Sequence, residues 1–457
     1  MVDSTSTGRS EAGLAVAMTV TALLIALAVF PDDPSPRGAL IVPAILLAAG
    51  ILFVPVLHAI RRSPRLLHAE NLVAVGFVFW LLLDLIQGAY DLRDAPDWAL
   101  RDAFIAIGVS AAAMWAGVAG KPWPLPNWLK DIATREMDTR TVGRLIPLCF
   151  VLGMFNFAFA VDFDIPLMFS YLGGQRWSAP WARSQLGGWD AILDQMQYFG
   201  YLLPSLTALL IARRGFSLPA LLSVALSGVM LAFLSQGGGR RIIGVTVGAA
   251  IIVWIQAQQV LRVRRLVIAA GAVVVLLTTM QFMLNIRTVG YEEFMFRGES
   301  EYDYLHVDDN FLRLSQVIEL VPASHPHTGF QQLWFTLVRP IPRVLWPGKP
   351  TDPGFDLPSL VGMREVSLST SIIGEWYVAF GWLTVLFGGW LHGRLARTIN
   401  VFREHEEYRT NPIVYGLAVM VLVAGLRSMQ DLVIMSYALV AWWLANRLTR
   451  ERAVQVA

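Results

Sequence analysis

Two arginines, Arg240 and Arg241, follow three glycines in "SQGGGRR" (235–241), between the apolar runs 218–234 and 242–256. Consecutive glycines let backbone N–H groups converge on an anion at the start of a helix, and a guanidinium offers a planar fork that fits two phosphate oxygens. The pattern suits a diphosphate. A tight turn whose arginines snorkel to lipid headgroups is the plainer alternative. A third arginine, Arg427 in "GLRSMQD", ends another apolar run with Asp431 four residues on. It is either a ligand group or one half of an intrahelical salt bridge. The stretch "LVRPIPRVLWPGKP" (337–350) carries four prolines and three cations, Arg339, Arg343 and Lys349. Proline removes amide donors and restricts the preceding residue, so this is a rigid, non-helical basic segment. It suits phosphate, sugar hydroxyls or lipid headgroups.

If such a site carries out transfer to a hydroxyl group, it also needs a base. Three residues qualify by type and position: Asp309 in "HVDDNFLRL", His327 in "ASHPHTGF" and Glu375 in "IIGEWY". Each has a structural alternative. Asp309 can cap a helix, His327 can be a solvated loop histidine, and Glu375 can pair with a neighbouring arginine. Asp84 sits inside an apolar run near its end, where it can reach interfacial water, and is left out of the catalytic set. No metal-ligand spacing appears, no cofactor is expected, and the single cysteine, Cys149, excludes both a disulfide framework and a cysteine metal cluster.

The elements that must hold these residues are membrane helices. The chain is 55% hydrophobic and 15% charged, and its apolar residues form uninterrupted runs of about twenty. The reading is an all-α polytopic membrane protein, one integral membrane domain over 1–457, with twelve spans. These cover roughly 13–30, 38–60, 71–90, 103–120, 141–163, 191–212, 218–234, 242–258, 266–283, 372–391, 412–426 and 432–448. Basic residues such as Arg61, Arg62, Arg65, Arg213, Arg214, Arg262, Arg264 and Arg265 collect in alternate connections. The positive-inside rule therefore places 1–12, 61–70, 121–140, 213–217, 259–265, 392–410 and 449–457 in the cytoplasm, with both termini. Two long connections, 164–190 and 284–371, fall on the opposite face, together with the arginines above. In the second, Phe311, Leu314, Ile318 and Val321 recur at helical spacing, and "LWFTLV" (333–338) is too short to span and reads as interfacial or re-entrant. A net charge of +2 gives no reason to expect nucleic acid.

The stretches "IPRVLWPGKP", "STSIIGEWYVAFGWLTVLFGGWLHG" (369–393) and "GGGRR" resemble the Wzy-type O-antigen and exopolysaccharide repeat-unit polymerases. The resemblance covers about residues 140–445 and is strongest at 337–393. It implies a glycosyltransferase of the bacterial inner membrane with a GT-C-like fold and two large periplasmic loops. Its donor and acceptor would be oligosaccharides carried on polyprenyl diphosphate, with membrane lipids around it and a chain-length regulator as a further partner. Some members carry an R-x10-G pattern in each loop, which Arg176 to Gly187 and Arg287 to Gly298 match, adding Arg176 and Arg287 to the substrate-binding set. Fixed arginines can stabilise a leaving diphosphate without a metal, and the transfer is expected to invert configuration. The rivals are an O-antigen ligase, with the same donor and another acceptor, and a flippase or other transporter. The absence of an internal repeat and the ninety-residue loop argue against a transporter.

Overall fold

In a computed structural model of the chain, residues 4–174, 178–182, 190–236, 239–258, 263–289, 304–339, 341–363 and 368–449 are described. They are helical, with no strand among them. The principal helices are α1 (Ser4–Ala28), α2 (Ile41–Ile51), α3 (Phe53–Ile60), α4 (Ala69–Phe77), α5 (Leu83–Gln87), α6 (Asp97–Val118), α7 (Thr139–Phe159), α8 (Leu203–Arg214) and α9 (Leu218–Ser235). They continue with α10 (Arg240–Gln256), α11 (Val263–Val289), α12 (Asn310–Leu320), α13 (Gln331–Val338), α14 (Ser371–Phe380), α15 (Trp382–Ile399), α16 (Pro412–Gly425) and α17 (Met429–Thr449).

Seven stretches among the described residues are long and apolar enough to cross a membrane: Arg9–Ala28, Ala69–Gln87, Asp97–Val118, Thr139–Phe159, Leu218–Ser235, Val263–Leu284 and Met429–Thr449. An eighth is the α2–α3 pair if its 60° bend is taken within one crossing. The protein is membrane-embedded. Val274 and Val275, on α11, are 62% and 65% exposed, an arrangement suited to lipid and costly in water. The remaining apolar runs of the sequence are short or broken. Run 372–391 is interrupted at Gly381, where φ is +70°, which separates α14 from α15. Run 191–212 keeps Leu203–Arg214 as its main helix, and α10 and α16 are 17 and 14 residues long.

Small residues let backbones approach where the bundle is tightest. A Cβ added at Gly389 or Gly393 of α15 would lie 2.3 Å from the Ser110 carbonyl oxygen or 1.9 Å from that of Met114. One at Gly117 of α6 would lie 2.2 Å from the Trp390 oxygen. The α6–α15 contact is thus backbone against backbone, the packing that small residues permit in membranes.

Two departures from the sequence reading concern the long connection after α11. That helix continues to Val289, so Arg287 belongs to a helix rather than to a loop, and its side chain lies outside the described residues. The expected amphipathic helix exists as α12, and Phe311, Leu314, Ile318 and Val321 are all buried. So are Arg313, Ser315 and Gln316. The helix is therefore enclosed on every side, because α6, α14 and the turn before α5 pack around it. The "LWFTLV" segment is helical, as part of α13.

Candidate functional site

The arginines of the glycine stretch are the first two residues of α10, after Gly239 at φ −71°. Gly237 and Gly238 lie outside the described residues. Arg240 is buried; its Nη1 donates to the His306 carbonyl oxygen at 2.9 Å and its Nη2 pairs with Asp308. Arg427, in the turn joining α16 to α17, donates from Nε to the other Asp308 oxygen at 2.5 Å and from Nη1 to Asp431 at 2.9 Å. Arg241 completes the chain, donating from Nη1 to the second Asp431 oxygen at 2.6 Å. The order is Arg240, Asp308, Arg427, Asp431, Arg241. Three guanidiniums alternate with two carboxylates, leaving one net positive charge. Asp431 is 5% exposed at its side chain and Arg241 39%, so the chain runs from the interior to an accessible end.

Asp308 reaches two arginines because its backbone is held in an unusual conformation. Asp308 and Asp309 have φ of +80° and +52°, the left-handed region that costs a non-glycine residue about 1–3 kcal/mol. The surroundings enforce it. Gln87 bonds Leu305 through both its amide groups, at 2.9 and 3.1 Å, and the Gln281 side-chain oxygen accepts from the His306 amide at 3.2 Å. On the other side, Asn310 donates to the Val307 and Trp80 carbonyls at 2.9 and 3.0 Å. Trp80 lies in a π-helical turn, Val78–Leu82, joining α4 to α5. Asp84, one turn further on, is buried beside the same segment.

Burial by itself would raise the Asp308 carboxyl, but Arg427 and Arg240 beside it more than offset this and hold it well below the usual carboxylate range. Burial likewise works against the charge on Arg427, and Asp308 and Asp431 outweigh it and raise that group. Both are therefore held in their charged forms at neutral pH.

No family model, curated protein or solved structure matches this chain.

The structure thus brings Arg240, Arg241 and Arg427 together. Arg427 does pair with Asp431 as an intrahelical bridge would, and it also reaches across to Asp308, which a local pairing does not foresee. Arg339 lies nearby, donating to Gln430 at 2.9 Å. Glu375 is buried on α14 and accepts from the Met429 amide at 2.5 Å. It caps the start of α17, and among the described residues it forms no ion pair with an arginine. Asp309 precedes α12 but makes no side-chain capping bond. Instead its carboxylate lies 3.5 Å from His306 and 3.6 Å from Arg313, partly exposed. His327 is not part of the cluster: it contacts Val378 and Tyr377 at the far end of α14 from Arg427. Lys349 is spent on loop structure, donating to the Arg339 and Ile341 carbonyls at 2.9 Å, and Arg343 is exposed beside it. Arg176 lies outside the described residues. The residue that motif reading passed over is Asp308. Its signal was the aspartate doublet, of which the second member looked like a helix cap.

Proposed function

We propose that the chain is a membrane glycosyltransferase that joins polyprenyl-diphosphate-linked oligosaccharide repeat units. The single observation that carries this reading is the Arg240–Asp308–Arg427–Asp431–Arg241 network, which places three guanidiniums from two separate segments on one end of the bundle. A diphosphate leaving group needs fixed positive charge in a site of low dielectric. Arg241, with donors beyond its bond to Asp431, takes the outer phosphate, and Arg427 and Arg240 supply the field behind it. The hydroxyl oxygen of the acceptor sugar attacks the anomeric carbon from the face opposite the diphosphate. The carbon–oxygen bond to the diphosphate breaks, and polyprenyl diphosphate departs with that electron pair. The hydroxyl proton passes to a base, for which Asp309 fits best: it adjoins the network, is partly exposed, and holds its neighbours only at 3.5 and 3.6 Å.

In the finer form of this reading the fold is GT-C-like and crosses the bacterial inner membrane twelve times, with α8, α10, α16 and the α14–α15 pair completing crossings by packing against longer helices. Both termini are cytoplasmic and the network faces the periplasm. What supports this sidedness is that Arg9, Arg62, Lys121, Arg213 and Arg409, from five connections assigned to one face, line a single cavity. Its other lining residues include Ile255 and Gln256, at the opposite end of α10 from Arg240.

The test is deletion of the gene from its host, followed by analysis of lipid-linked saccharides and surface polymer. Single lipid-linked repeats without chains are the expected result. Intact chains left on the lipid carrier would instead identify a ligase, and repeats confined to the cytoplasmic leaflet a transporter.

A further inference from the structure

A large cavity among the described residues is distant from the arginine network. It has a volume of about 1400 Å³ and lies at the other end of α10, roughly 25 Å away for a helix of this length at 1.5 Å per residue. Its wall holds eight basic side chains against three acidic ones. Two of the basic groups are neutralised locally, Arg65 by Glu11 at 2.7 Å and Arg397 by Glu404 at 2.5 Å. The third acid, Glu70, is taken up by His68 and Asn400. Arg9, Arg62, Lys121, Arg213, Arg403 and Arg409 have no carboxylate partner among the described residues. Arginines that merely followed the positive-inside rule would be spread over the membrane surface; these ring a concavity.

The interior of that concavity is different in kind. Leu209, Ile255 and Trp115 form an apolar floor. Trp115 is 1% exposed, and its indole Nε1 is closed off from the cavity, so the ring offers a ligand apolar surface and no donor. Asn71, also on the wall and 2% exposed, donates from Nδ2 to the Arg65 carbonyl at 2.7 Å. A volume this large exceeds the usual range for small-molecule sites and far exceeds an inorganic anion.

We infer that this cavity is a binding site for an anionic amphiphile, whose phosphate head is held by the unpaired cations of the rim and whose less polar body lies on the Trp115 floor. The ligand chemistry is a phosphate ester, carried either by a membrane lipid or by a soluble molecule. The inference does not rest on the reaction proposed for the other end of the bundle.

Native mass spectrometry of the full-length protein in detergent tests it, with three probes: short-chain phosphatidylglycerol, phosphatidylcholine with the same chains, and inorganic pyrophosphate. Saturable retention of phosphatidylglycerol over phosphatidylcholine is expected. The double variant R62Q/R213Q, altered at two exposed positions, should bind phosphatidylglycerol about tenfold more weakly through loss of charge-assisted hydrogen bonds, at an unchanged melting temperature. Competition by pyrophosphate would assign the head alone as the recognised group, and failure to compete would assign the lipid; either supports the site. Equal binding of the two lipids, or unchanged binding in R62Q/R213Q, would reduce the rim to ordinary membrane-surface charge. Either of these overturns the inference.

Discussion

Asp308 and Asp309 are adjacent, identical in type and both in left-handed backbone, yet the structure gives them opposite duties. Asp308→Asn preserves shape and one acceptor but deletes the charge that Arg240 and Arg427 share. Removing one partner from a buried ion pair costs about 3–5 kcal/mol. Asparagine still accepts a hydrogen bond and Arg427 keeps Asp431 at 2.9 Å, which puts the cost at the lower end, about 3 kcal/mol. That lowers the folded-to-unfolded ratio by on the order of a hundredfold. Asp309→Asn, by contrast, removes a carboxylate that is 28% exposed and whose partners lie at 3.5 and 3.6 Å. Pairs of that kind contribute below about 1 kcal/mol. The assay is denaturation of the purified protein in mixed micelles, followed by intrinsic fluorescence, beside elongation of lipid-linked repeats by the same preparations. Asp308→Asn should be clearly destabilised. Asp309→Asn should unfold like the wild type and lose elongation. Equal stability of the two variants would refute the reasoning about the network, and full activity of Asp309→Asn would refute its role as the base.

Other expectations follow from the same geometry. Arg240→Lys should lose elongation almost as fully as Arg240→Ala, because one ammonium cannot serve the His306 carbonyl and Asp308 as a fork does; full-length polymer from the lysine variant on a gel would contradict it. Gly393→Ala should cost about 1–3 kcal/mol or more by forcing α15 away from the Met114 backbone, read as loss of monodisperse protein after extraction. Asp308 has a folded pKa below its unfolded value, so its contribution to stability is fully present above about pH 4. That contribution should fade as pH falls from there towards the folded pKa, and the acid sensitivity should be blunted in Asp308→Asn. Elongation by the purified protein should persist in chelator; loss in EDTA that a divalent ion restores would exclude a purely arginine-based stabilisation of the leaving group.

Residue types and periodicity were enough to establish a helical membrane protein, because a bilayer demands long apolar runs and satisfied backbone groups. They also singled out Arg240, Arg241 and Arg427, since arginine next to an apolar run is costly wherever it stands. The pairing of those arginines was not legible. Asp308 is 68 residues from Arg240 and 119 from Arg427, and no local pattern links positions so far apart. The breaks in the apolar runs were equally hidden: hydropathy averages over Leu52 and Gly381, whereas the chain bends or stops at them because neighbouring helices reward it. The basic connections were assigned to one face by charge counting alone. That they line one cavity together with Leu209, Ile255 and Trp115 depends on how α6, α8 and α10 converge, which is a property of packing and not of any segment by itself.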